Sequence, residues 1–140
     1  MFSKKKITAL ALLLTTLSIS SLASAEEELI GSNEYRVSCA SCHGIGGKGD
    51  GQMAKFLTVK PSNLTMLAKN AGNSVYPFLK VFQVIDGRTE VSGHGDRAMP
   101  VWGDRYNKEA IKKYGSFGGE TATRARVLEL VYYLQSIQEK

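Results

Sequence analysis

The chain has 140 residues, enough for one domain, with 43% hydrophobic residues and a formal net charge of +5 at pH 7. Much of that charge sits at Lys4, Lys5 and Lys6; without residues 1–25 the 18 basic side chains fall to 15 against 13 acids, an excess of +2. So small an excess gives no net-charge case for nucleic-acid binding. The three lysines precede an apolar stretch from Ile7 to Ile19 and then the small residues Ala23 and Ala25, the pattern of a secretory signal peptide cut after Ala25. The apolar stretch is 13 residues long, short for a spanning helix, which needs about 20, so an uncleaved anchor is the lesser reading. The expected organisation is a signal peptide over 1–25 and one exported domain over 26–140, without membrane insertion after cleavage.

A first helix is expected from about Ser32 to Ala40. It runs into Cys39-Ala-Ser-Cys42-His43, which holds both cysteines of the chain. In an exported protein two cysteines ordinarily pair as a disulfide. Cys-x-x-Cys also suits a thioredoxin-like site, but that reading needs a βαβ pattern and none is present. Zinc needs four ligands, and only His43, abutting Cys42, and the distant His94 could complete the set. His43 shifts the balance, because Cys-x-x-Cys-His is the attachment motif of c-type haem. Each thiol forms a thioether with a haem vinyl group, and the imidazole becomes the proximal iron ligand. Spacing of i, i+3 places Cys39 and Cys42 on one helical face, within reach of one porphyrin edge. One covalent haem c held by Cys39, Cys42 and His43 is the expected cofactor.

Further along, the glycine-rich run "GIGGKGDG" forms a loop. Ser62 or Asn63 caps a short helix through Ala68. Pro77 opens a stronger helix, "YPFLKVFQVI", closed by Asp86-Gly87, with Phe78, Leu79, Phe82 and Ile85 spaced to form one buried face. "YNKEAIKKYG" predicts a short, mostly solvated helix stopped at Gly115. Thr121 or Thr123 starts the last helix, with Val127, Leu130, Val131, Leu134 and Ile137 facing inward. No period-2 alternation appears, so the expected fold class is all-α.

Candidates for the sixth iron position are Met53, Met66, Met99 and His94. Met53 lies only ten residues past His43, leaving little chain to round the porphyrin rim. Met66 has the spacing of a core residue. Met99 lies in a polar, glycine-rich loop just before Pro100, which stiffens the backbone after the sulfur. The 56 residues from His43 to Met99 are ample to reach the opposite haem face. Met99 is the leading candidate; His94 is the rival, and bis-histidine ligation would give a lower potential.

These features resemble the bacterial periplasmic class I monohaem cytochromes c over nearly all of the exported chain. "GSNEYRVSCASCHG" resembles the family's first helix and attachment site, "GIGGKGDG" its glycine-rich loop, "RAMPVWG" its distal-ligand loop, and "LELVYYLQSI" its last helix. The resemblance implies a class I fold of about four to five helices wrapped around one haem. The last helix would cross the first at Gly31, with Tyr133 covering the crossing, and Pro61 would back the His43 ring or the haem edge. Trp102, Arg97 and Arg88 are weaker candidates as partners of a haem propionate. With His43 and Met99 both on the iron, no site remains for substrate. The expected function is then electron transfer in the periplasm, as a soluble carrier, a monomer, or the cytochrome subunit of a dehydrogenase or oxidase. A haem enzyme or a gas or redox sensor with an open or labile sixth position is the alternative. Lys48 and Lys55, close to the motif, are placed to steer an acidic redox partner.

Overall fold

The computed structural model describes residues 28–72, 74–87 and 101–140; the expected signal peptide and the expected ligand Met99 lie outside them. Among the described residues there are helices and turns and no strand. The elements are α1 (Ser32–Ser38), α2 (Ala40–His43), single 3₁₀ turns at Ala54–Phe56 and Leu64–Met66, α3 (Leu67–Asn70), α4 (Phe78–Asp86) and α5 (Trp102–Ser136). None of these helices is long and apolar enough to cross a membrane.

The core lies where α5 meets α1 and α4. Val127, Leu130, Val131 and Leu134 of α5 are buried against Val81 and Ile85 of α4 and Tyr35 of α1, as the spacing of the last helix predicts. Gly31 makes the α1–α5 crossing possible. Its φ is +82°, and a Cβ there would lie 2.1 Å from the Glu129 carbonyl oxygen, so the two backbones approach at a distance only glycine allows. Over the crossing the Tyr35 and Tyr133 rings lie 4.8 Å apart, as the family resemblance implied.

Two elements differ from expectation. The α4 face is formed by Val81 and Ile85, with Phe78 and Phe82 packed at its edge, whereas Leu79 is 68% exposed. A nine-residue helix has room for one apolar stripe, and Leu79 falls about a sixth of a turn beyond Phe82 at its edge. The last helix starts well before Thr121. Only Gly115, at φ 71° and ψ 175°, interrupts α5, so one limb spans 102–114 and the other 116–136. Contacts of Glu109 with Arg126 and of Ile111 with Gly119 show that the limbs fold back on each other. The first limb is mostly solvated, as its sequence suggests, with Tyr106 and Ala110 among its buried exceptions.

The C-terminus is pinned to the short helix before α4. The Asn63 side chain caps its first turn by accepting from the Thr65 amide, 2.9 Å away. The Thr65 hydroxyl donates to Glu139 at 2.8 Å, and Gln138 bridges the Ala68 amide and the Leu64 carbonyl. These bonds hold residues 63–68, whose Leu64 amide donates to the Gly47 carbonyl of the glycine-rich loop at 2.7 Å, against the end of α5.

Candidate functional site

Helix α1 delivers the motif. The Cys39 amide still donates to the Tyr35 carbonyl at 2.8 Å, but Cys39 itself bends to φ −120° and ψ −37°, and a fresh turn carries Ala40 to His43. A helix end leaves its last carbonyls without intrahelical partners. Here the glycine-rich loop supplies them: Met53, Gly51 and Gly49 amides donate to the carbonyls of Ser41, Cys42 and His43 at 2.9, 3.1 and 2.8 Å. Such close wrapping requires glycine, since a Cβ on Gly51 would sit 2.4 Å from the Ser41 carbonyl oxygen. From beneath, the buried Tyr35 hydroxyl donates to the Gly44 carbonyl at 2.7 Å. The turn is therefore fixed on two sides.

The His43 ring is oriented by a backbone group. Its Nδ1 lies 3.0 Å from the Ser62 carbonyl oxygen, which can only accept, so Nδ1 carries the proton. Nε2 is left with a lone pair and, among the described residues, no hydrogen-bond partner. Burial lowers the His43 pKa, and the Ser62 bond offsets this only in part, so the ring is held neutral and able to bind iron. The resemblance implied Pro61 behind this ring or at the haem edge; the polar contact on the ring is the carbonyl of the next residue, Ser62. Pro61 instead presses its own carbonyl on the loop, where a Cβ on Gly49 would lie 2.4 Å from it.

Cys39 and Cys42 are free thiols. Burial, with smaller contributions from the charge of Glu34 and from Cys42, pushes the Cys39 thiol up to about 12. A dithiol redox site works through a lowered thiol pKa, the reverse of what is found. Past the motif, Ile45, Met53, Phe56, Leu57 and Val59 are all exposed. Five exposed apolar side chains within 16 residues of the motif's end, together with two thiols and an unpartnered imidazole nitrogen, are a donor set and a lining chemistry that fit a large apolar cofactor. An open cleft of about 770 Å³, lined by residues 48–56 and Lys60, adjoins this surface and shares none of Cys39, Cys42 or His43.

The remaining candidates are dispersed. Met53 is exposed on the turn before the first 3₁₀ helix, and Met66 is half-buried at the end of the second. Trp102 opens α5 and packs with its ring 5.8 Å from Tyr106, as a core side chain does. Arg88, His94, Arg97, Met99 and Pro100 lie outside the described residues. One group escaped sequence reasoning: Glu34, Ser38, Tyr106 and Arg126 form a polar cluster next to Cys39. The only local signal was the i, i+4 spacing of Glu34 and Ser38.

The model of the cytochrome c family matches residues 30–138, which spans both the motif turn and the helix crossing. The chain belongs to the cytochrome c family. As a cytochrome c it is an all-α, haem-based electron-transfer domain whose haem c is covalently attached. No curated protein and no solved structure gives a match.

Proposed function

We propose that Cys39 and Cys42 carry a single haem, that His43 through Nε2 and Met99 through its sulfur bind its iron, and that the protein transfers electrons in the periplasm. The observation that carries this reading is the His43 ring, locked by Ser62 into the tautomer with Nε2 available, one turn from two free thiols. Each S–H adds across one vinyl C=C, so both cysteines become thioethers without gain or loss of electrons. Haem c, when bound, supplies one-electron exchange between ferric and ferrous iron. The chain's residues orient the His43 ring through the Ser62 carbonyl and keep it deprotonated at Nε2. Pro100 stiffens the backbone behind Met99, which a neutral, weakly binding thioether requires. Lys48, Lys55 and Lys60 line the neighbouring cleft and would raise the encounter rate with an acidic donor or acceptor. The signal-like start supports a periplasmic location, where the domain would act as a free carrier or as a subunit docked on a dehydrogenase or oxidase.

A denaturing gel of the exported protein, stained for haem, tests attachment: a band is expected for the wild type and none for Cys39→Ala/Cys42→Ala. If protein matured in the periplasm lacks covalent haem, the assignment fails. The ferric spectrum tests the sixth ligand. Its weak long-wavelength methionine–iron band should vanish in Met99→Ala and survive in His94→Ala; survival in Met99→Ala would sink the methionine assignment.

A further inference from the structure

Beside Cys39 the chain keeps a half-buried ion pair that joins its first and last helices. Arg126 of α5 donates to Glu34 of α1 at 3.0 Å and, through its other terminal nitrogen, to Glu109 at 2.9 Å. Its guanidinium also lies 3.9 Å from the centre of the Tyr106 ring. The other oxygen of Glu34 accepts from the Ser38 hydroxyl at 2.6 Å and the Tyr106 hydroxyl at 2.7 Å. The two carboxylates on Arg126 differ sharply: the Glu34 side chain is 19% exposed and the Glu109 side chain 67%. Solvent screens the second far more than the first.

Stability alone is a weak reason for this arrangement. Withdrawing two charges from water costs about as much as their attraction returns, and a packed apolar pair would join the helices as well. Position supplies a better reason. Glu34 and Ser38 lie on the helix that ends at Cys39, and the Glu34 charge already acts on the Cys39 thiol. Burial pushes the Glu34 carboxyl up, but the bonds from Ser38, Tyr106 and Arg126, with the Arg126 charge, outweigh it and hold Glu34 ionised.

We propose that Glu34 and Arg126 form a fixed charge couple that sets the reduction potential of the haem attached at Cys39, Glu34 lowering it and Arg126 raising it. The inference rests on the haem assignment to Cys39. A negative charge favours the ferric state, which carries one more positive charge than the ferrous state; a positive charge disfavours it. One electron is exchanged with the redox partner, and neither residue gives or takes a proton. Both act through the field and not by contact with the iron, so they are positioning residues for charge.

The test is potentiometric titration of the holo-protein and its variants, each first shown by haem staining to carry covalent haem. Absence of stain in the wild type would count against the haem assignment and not against the couple. Poised at the wild-type midpoint, Glu34→Gln should lower the ferric-to-ferrous ratio about threefold or more, as expected for one charge in a partly screened setting. Arg126→Gln should raise the ratio by a similar factor, and a tenfold change is about 59 mV for one electron. Glu109→Gln, which removes the exposed arm, should change it little. Arg126→Lys breaks the fork geometry yet keeps the charge, and should stay near the wild type. A purely mechanical staple predicts otherwise: Glu34→Gln and Arg126→Gln would shift the ratio in the same direction, and Arg126→Lys would behave like Arg126→Gln. Either of those results, or a Glu34→Gln shift no larger than that of Glu109→Gln, overturns the proposal.

Discussion

Tyr35 joins packing to the site through one hydroxyl. Its ring fills the helix crossing, and its oxygen holds the Gly44 carbonyl next to His43. Tyr35→Phe keeps the ring and removes the bond. The Gly44 carbonyl retains the Gly47 amide at 3.1 Å, so it is not orphaned. The expected loss of stability is therefore about 1 kcal/mol, the net worth of one hydrogen bond, and not the larger penalty of an unpaired buried group; a denaturant melt measures it. Glu34 gives a pH signature. Its folded pKa lies below the ordinary value, so in acid the unfolded chain binds the extra proton first, and the contribution of Glu34 to stability is lost as pH falls. Stability measured from about pH 6 down to pH 3 should fall less steeply in Glu34→Gln than in the wild type. Equal slopes would show that the carboxylate does not take part. At this scale the motif was legible in the sequence because its chemistry is contiguous. The partner of His43 was not, since Ser62 acts through a backbone carbonyl that side-chain patterns do not reveal. Nor was the contact of Glu34 with Arg126, 92 residues on, which exists only once two helices cross at the right phase.

Among the elements, the α1–α5 crossing carries the strictest steric demand. Gly31→Ala places a Cβ against a backbone oxygen that cannot rotate away, at a φ that L-residues avoid. A loss of about 3–5 kcal/mol is expected from the combined clash and strain, read as a lowered unfolding midpoint. A loss under about 1 kcal/mol would mean that the helices separate at little cost. Helix limits were legible where punctuation is local: Asn63 caps and Gly115 breaks. The start of the final helix was not, because the polar "SFGGE" run reads as a loop until its residues are folded back on the preceding limb. Leu79 was misplaced for a related reason. Spacing of three and four describes an arc of a helix, and the width of the arc that is covered depends on the neighbour.

Over the whole molecule, the exposed apolar side chains after the motif set the largest expected difference between the chain with and without its cofactor. Ile45, Met53, Phe56, Leu57 and Val59 are each open to solvent. The exported Cys39→Ala/Cys42→Ala protein should bind an apolar fluorescent dye and unfold at a lower temperature than the holo-protein, since a group held by the native state alone stabilises it. Phe56→Ser in that background should weaken dye binding. Equal dye binding by the holo-protein would show that this surface lies outside the cofactor's cover. The all-α class was readable from periodicity and the cofactor from five contiguous residues; what relates them in space was not.

The bonds that orient His43 are close in sequence. The ring contact with Ser62 spans 19 residues and the Tyr35 bond to Gly44 spans nine, whereas the ion pair that joins α1 to α5 spans 92. Closing a longer loop costs more entropy and takes longer. During folding, the grip on the imidazole can thus form before the C-terminal helix docks. Folding order then separates two tasks: an early, local clasp decides which nitrogen of His43 stays unbonded, and a late, long-range closure seals the domain around it.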